Sequence, residues 1–426
     1  MVRDAIRGLL TSGIVLTPAT SFAQTVGAGT TIVIAPELDR NDVAGARIEP
    51  EYQPRTIRLG PFLAQPALSL ASAYASNVFN KADARTDAVA MVMPALELTA
   101  DTTRHELKMT AAGTIRRFAR YQSENSEEWD VTGKGRLDLS PRHAITATAD
   151  YAHLIEPRSS AGTAADAKEL VNYSRATGKL GTDLEFGNFR LSPSAGYQQV
   201  RYASLPLSSG TRIDQSFRDA RTLQGEVRIS YDFSGIVAAY AAASYGAIHS
   251  TSAPADIRRD ARNTTAIVGL KGALSPVVTG EIGLGYQSRS FELPIYRDFA
   301  GFTFRADMQW FATPLLTLRA QANRIFQNSG DRSVAGILTD TFQVSAYYDP
   351  LRNFRIAAST ALERGRYREV DTRTTRGLAR LKAQYRMNRG ISLGAYVSLL
   401  HQEVRGTPLV SEFTALNAGI GITITP

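Results

Sequence analysis

The chain has 426 residues and not one cysteine. That excludes disulfides and thiolate metal sites, and it suits a polypeptide crossing an oxidising compartment without mispairing. Beyond the N-terminal segment no stretch holds 18 consecutive apolar residues, so no transmembrane helix is expected. Histidine is scarce: His105, His143, His153, His249 and His401 never fall at metal-ligand spacing. His143 lies near Ser140, but in a predicted turn beside Pro141, where a nucleophile and base have no third group to orient them. The run Gly280–Gly285, GEIGLG, has the wrong glycine order for a dinucleotide fingerprint, and no helix pattern follows it. Charged residues make up 21%, below the usual quarter, with a net charge of +8. These absences argue against an enzyme, a metalloprotein or a cofactor-binding protein.

The N-terminus carries Arg3 and Arg7, then an apolar run to Leu16, then Ser21, Phe22 and Ala23. Small residues at the −3 and −1 positions fit a secretory signal peptide over residues 1–23, cleaved before Gln24. Residues 24–62 have few large apolar side chains and include Pro36, Pro50 and Pro54, which reads as an extended periplasmic leader. From residue 63 to 426 one unit repeats. In Phe302–Trp310, the residues Phe302, Phe304, Ala306, Met308 and Trp310 alternate with Thr303, Arg305, Asp307 and Gln309. The stretches 222–232, 316–323, 341–348 and 375–387 alternate in the same way. Period two with one greasy and one wet face is the pattern of a strand. Eighteen such segments are expected, with sixteen as the runner-up.

The connections alternate in length. Short ones carry turn residues, as at Ser140–Arg142, Phe186–Asn188, Phe233–Gly235, Ser275-Pro276, Thr313-Pro314, Asp349–Leu351 and Asn388–Gly390. Long polar ones are Tyr121–Glu128, Pro157–Lys168, Leu205–Arg218, Thr251–Arg259 and Asn328–Leu338. Short turns on one rim and long loops on the other mark a bacterial transmembrane β-barrel, short turns periplasmic. A soluble sheet protein can also alternate. However, the apolar faces here are rich in Ala and Gly, as in Val237–Ala247, and lipid tolerates sparse bulk that a packed core does not. Aromatics also gather beside the short turns, among them Phe186, Phe189, Tyr231, Phe233 and Trp310, as an interfacial girdle would. The fold class is therefore all-β: an antiparallel up-and-down barrel in the outer membrane, with its lipid and the barrel-assembly machinery as partners. Asn417, Gly419, Ile422 and Ile424 resemble the C-terminal assembly signal of such barrels, without its terminal aromatic.

Arg55–Phe79, with Leu59-Gly60, Phe62, Pro66 and Asn77–Phe79, resembles the first-strand entry of the β-barrel porin 2 family. Asn263–Phe291 is similar to that family's central hairpin, in Gly269, Leu274–Pro276, Gly280 and Gly283–Tyr286. The resemblance spans roughly residues 50–426. It implies a Gram-negative outer-membrane barrel, often associated with exopolysaccharide or capsule production, and supplies no catalytic motif.

Alternation places seventeen basic residues on the wet face against ten acidic ones, from Asp130 to Glu363, a surplus of seven. Most would form a cross-strand charge lattice. Arg305, Arg319, Arg355, Arg376, Arg380, Lys382 and Arg386 are the candidate pore-lining residues, and the last four form a ladder along one strand. Rings of basic side chains favour anions in a pore. The leading expectation is export of an exopolysaccharide or other anionic or sugar polymer, with periplasmic export components as partners. The alternatives are a general anion-preferring porin and a non-conducting structural barrel. Because the basic charge alternates with lipid-facing residues, no nucleic-acid surface is expected.

Overall fold

A computed structural model describes residues 49–100, 102, 105–158, 169–206, 210 and 212–426. The expected signal peptide, most of the expected leader and most of the 157–168 loop lie outside the described residues.

Strands β1 (Phe62–Ala75), β2 (Asp87–Ala100), β3 (Glu106–Phe118), β4 (Ser126–Ser140), β5 (His143–Glu156) and β6 (Val171–Phe186) open the sheet. It continues through β7 (Phe189–Tyr202), β8 (Ala220–Asp232), β9 (Val237–Ser250), β10 (Ala261–Ser275), β11 (Val278–Phe291) and β12 (Phe299–Thr313). The last six are β13 (Leu316–Asn328), β14 (Gly336–Leu351), β15 (Phe354–Tyr367), β16 (Thr372–Arg386), β17 (Ile391–Gly406) and β18 (Phe413–Ile424). Each pairs antiparallel with its sequence neighbours, and β18 pairs with β1 from Leu68↔Ile424 to Ala75↔Asn417. The result is a closed eighteen-stranded barrel. Closure is what hydrocarbon demands, since no water is there to satisfy an open edge.

Strand β1 overhangs β18 at its start. The overhang does not stay bare: Ile57–Leu59 folds back through Gly60, at φ 59°, and pairs with Phe62–Ala64. So the end of the expected leader serves as an edge guard. Two expected boundaries shift. The turn placed at Asp349–Leu351 falls instead at Arg352-Asn353. Pro350 has no N–H for the ladder, and the strand takes it up as a register shift between Tyr348 and Leu351. Glu128 belongs to β4, not to the preceding loop, because its inward side chain meets Arg116 of β3.

The two faces follow the alternation. Outward positions expose Leu223, Val227 and Ile229 on β8, Val268 and Leu270 on β10, and Ile282 and Leu284 on β11. At the turn-side rim Phe186, Phe189, Tyr231, Phe233 and Trp310 form the aromatic girdle. On the inner wall the glycines of the 263–291 hairpin acquire a packing reason. The Tyr240 ring of β9 lies over β10 and β11. A Cβ added at Gly283 would stand 2.2 Å from the Tyr240 hydroxyl, and one at Gly269 would stand 2.6 Å from it. The pattern repeats at the seam, where a Cβ on Gly419 would meet the Tyr396 ring at 2.5 Å and the Ala73 Cβ at 2.9 Å.

Three outcomes test this architecture. An epitope inserted at Thr407-Pro408 should be labelled on intact cells and one at Arg352-Asn353 should not; the opposite pattern would invert the topology. Val268→Arg and Leu284→Arg should block assembly, since an arginine on the lipid face near the midplane costs about 2–4 kcal/mol, whereas the inward Gln224→Arg should assemble. Gly283→Ala should lower the temperature of the heat-modifiable gel transition, in line with the about 1–3 kcal/mol typical of overpacking. Adding Tyr240→Phe should restore part of that loss, and no restoration would mean the ring is not what the glycine accommodates.

Candidate functional site: the lumen

Inward positions carry the charges, and most have opposite-sign company. Arg175 of β6 reaches Asp150 of β5 at 3.1 Å. Lys108 of β3 meets Glu97 of β2 at 3.0 Å, and Arg190 pairs with Glu185 across the β6–β7 turn. Arg228 of β8 and Arg305 of β12 both bind Glu281 of β11, at 3.0 and 2.9 Å, and both guanidinium groups lie over the Tyr240 ring, at 3.8 and 5.2 Å from its centre. The glycine seat of Tyr240 thus places an aromatic face between two arginines, which favours the cations while Glu281 neutralises them.

The expected surplus of seven inward cations does not survive. Glu106 and Asp87, and also Glu97, Glu128, Glu156 and Asp349, stand on inward positions. The last four have basic partners: Lys108, Arg116, Arg218 and Arg355 respectively. Asp87 instead accepts the backbone N–H groups of Arg120 and Tyr121 at 3.0 Å, fixing the 119–125 loop. Seventeen basic residues then face sixteen acidic ones among the described strand residues. Alternation missed them for a physical reason. In β2 the inward residues between Asp87 and Glu97 are Val89, Met91, Met93 and Ala95, the first three buried, so both faces of that strand are apolar.

The seven candidate pore-lining residues divide. Arg305 is held as described, with its Nε 3.2 Å from the Tyr240 hydroxyl. Arg319 donates to Asp307 at 2.8 Å. Arg355 stands 3.8 Å from Asp349. Arg376 donates to Gln402 Oε1 at 2.9 Å and lies 3.5 Å from Glu363. Arg386 donates to the carbonyl of Arg352 and lies 5.4 Å from the Tyr52 ring centre, so the chain before β1 meets the turn-side end of this wall. Arg380 and Lys382 share the face of Arg376 and Arg386, opposite Ser398 and Tyr396 of β17. The ladder is interrupted by Leu378, which packs with Ala361, Leu400, Phe413 and Ala415.

A cavity of about 1150 Å³ lies against the other wall, from β4 to β13. Arg319 is the member of the seven that borders it. Hydroxyls and amides dominate the lining, including Thr177, Gln198, Thr222, Gln224, Ser244 and Thr265. Its charges include the Asp150–Arg175 and Asp307–Arg319 pairs. Near the loop end Tyr173 stacks on Tyr202 with centres 5.2 Å apart, and Arg218 lies 3.9 Å over Tyr202 while gripping Glu156 at 2.6 and 2.7 Å. Burial works against the Arg218 charge, but the Glu156 carboxylate more than offsets it and raises its pKa.

Above this cavity the loops knit together around Arg259. Its guanidinium donates to the carbonyls of Ser329, at 2.5 Å, and Asp331, and faces the rings of Phe217 and Tyr296 at 5.4 and 5.8 Å. Tyr296 donates to the Ile257 carbonyl at 2.9 Å, and Arg332 donates to the Asp214 carbonyl at 3.1 Å. Four loops are thereby joined through one buried cation, whose pKa burial pushes down. The sequence marked three of these segments as long and polar, but not the one that carries Tyr296, and nothing in their local pattern announced that they converge.

The family described as "Putative beta-barrel porin 2" matches residues 49–425. No curated protein matches the chain. Among solved structures, the siderophore receptor PirA from Pseudomonas aeruginosa is 8% identical, with a TM-score of 0.43, covering 85% of this chain and 80% of its own. A ferric enterobactin receptor mutant from Pseudomonas aeruginosa, solved with enterobactin, is 9% identical at a TM-score of 0.47, covering 85% and 81%. The outer membrane protein opdK from Pseudomonas aeruginosa is 10% identical at 0.45, covering 85% and 99%. These likenesses concern the barrel fold and say nothing of a solute. With the family match spanning the whole barrel, the chain is an outer-membrane β-barrel and belongs to the beta-barrel porin 2 family.

Proposed function

We propose that this barrel is a channel for a sugar-rich polymer and takes part in exopolysaccharide export. The observation that carries the reading is the lining of the 1150 Å³ cavity: hydroxyls and amides in number, with much of the charge compensated by pairing. Such a wall exchanges hydrogen bonds with a polyhydroxylated chain at many weak sites, which permits passage where one strong site would trap it. Eighteen strands give a lumen of channel width. A small-anion porin needs an uncompensated basic field, and seventeen inward basic residues against sixteen acidic ones supply little of one. The loop cluster around Arg259 supports a second reading, a barrel closed at its loop end.

Planar-bilayer recording tests these readings together. The wild-type channel should show weak ion selectivity and reversible current block by a neutral β-linked glucose oligomer. Gln198→Leu with Gln224→Leu should weaken that block about tenfold, the equivalent of about 1.4 kcal/mol. Replacing Arg376, Arg380, Lys382 and Arg386 with Gln should leave the block in place and change selectivity only modestly. Strong wild-type anion preference without oligosaccharide block would favour the porin reading. Arg259→Ala should raise conductance by releasing the loops. Silence in both wild type and Arg259→Ala would sink the channel proposal.

A further inference from the structure

The outward face of the barrel is not uniformly apolar. Just below the loops it carries arginines. Arg366 of β15, Arg373 of β16 and Arg405 of β17 are successive register partners, Arg366↔Arg373 and Arg373↔Arg405, so three guanidinium stems stand side by side on neighbouring strands. Their side chains are 54%, 68% and 82% exposed. Arg364 lies one outward position lower on β15, and Arg324 of β13 reaches Asp340 of β14, its register partner. On the far side Arg201 of β7, Arg221 of β8 and Arg262 of β10 hold equivalent places, with Arg221 opposite His249 of β9.

Three features make this more than a solvated rim. The first is its asymmetry. Among the described residues, no Lys, Arg, Asp or Glu takes an outward strand position in the turn-side half, where the girdle is aromatic. The second is the choice of residue. These outward cations are arginines, whose planar fork binds phosphate through two hydrogen bonds, and lysine appears at none of the positions. The third is imbalance. Like charges directly opposite in a sheet are destabilising, and the acids paired with two of the triad are exposed: Asp371 lies 3.5 Å from Arg373 and Glu403 lies 3.8 Å from Arg405. Exposed pairs of this kind contribute about 0–1 kcal/mol. Asp340 is shared between Arg324 and Arg366.

We propose that Arg366, Arg373 and Arg405 form a lipid-binding site for a phosphorylated glycolipid of the outer leaflet, its phosphates on the arginine row and its acyl chains on the wall below. Neighbouring strands lie about 4.8 Å apart, so the row spans about 10 Å, room for two phosphates of one headgroup. The next outward row down is Arg364, Thr375 and Glu403, and below it, past His401, the outward face turns apolar: Leu362 opposite Gly377, Ala379 opposite Leu399, and Leu381 opposite Val397. A soluble phosphate would use the row alone; an amphiphile uses both parts. The site goes beyond transport and shares no residue with the lumen.

The test uses the full-length protein extracted from outer membranes in mild detergent. Wild type should retain diphosphorylated lipid A, read by native mass spectrometry, and the R366Q/R373Q/R405Q variant should retain at least tenfold less. After delipidation, phosphatidylcholine vesicles containing lipid A should raise the heat-modifiable transition of wild type but not of the variant. Dephosphorylated lipid A and inorganic phosphate should raise neither. The variant in phosphatidylcholine alone reports whether it folds. Should it not fold, Arg373→Gln and a salt titration of wild type take its place, because a phosphate–arginine contact weakens with ionic strength. Equal retention by variant and wild type, equal effect of dephosphorylated lipid, or a full effect from inorganic phosphate would each overturn the proposal.

Discussion

A strand edge left in hydrocarbon forfeits several kcal/mol for each unpaired backbone group. Every other feature of this molecule follows from meeting that constraint. The β1–β18 ladder closes the ring. The residue-by-residue alternation is a consequence, because closure leaves each strand with one face to lipid and one to the lumen. So is the Ile57–Leu59 hairpin, which pairs Phe62–Ala64 at the start of β1, where β18 does not reach. Gly419 sits at the same seam between Tyr396 and Ala73, as a register partner of both, and a side chain there would push apart the two strands that must meet.

The periodicity of two made the strand number readable from sequence, since each strand declares itself without reference to its partners. The inward and outward assignment was readable for the same reason wherever one face was polar. It failed where that condition failed. Strand β2 buries Val89, Met91 and Met93 toward the lumen and exposes Val92 and Leu96 to lipid, so its end charges Asp87 and Glu97 had no polar row to belong to. Glu128 and Asp349 were lost to turn and loop readings, one beside a polar loop and one beside Pro350. Those omissions all removed acids, and together they made the lumen look more basic than it is.

Long-range packing was unreadable in a different way. The glycines of the 263–291 hairpin could be seen, but the ring they receive belongs to β9, and the arginines that lie against it belong to β8 and β12. No local pattern links residues 228, 240, 281 and 305. The same holds for Arg259, whose partners lie in loops about seventy residues further along the chain. The outward arginines were hidden by position: they stand at the ends of strands, where a basic residue reads as loop.

The distribution of charge then divides by environment. Inside the barrel, cations are drawn into pairs, because a half-buried guanidinium without company carries a desolvation penalty that nothing in a narrow lumen repays. Arg228, Arg305 and Glu281 around Tyr240 show how far the wall goes to provide that company, giving up side chains at Gly269 and Gly283 to admit the ring. Outside, at the loop rim, the opposite choice is made: arginines stand together, half or more exposed, with weak acid partners. Water alone gives no reason for three adjacent like charges on a surface that is otherwise apolar. An anionic headgroup layer does, since it adds from the membrane the counter-charge that Asp371 and Glu403, both exposed, and the shared Asp340 supply only in part. The same residue type is therefore neutralised by the chain within the lumen and by the lipid at the rim.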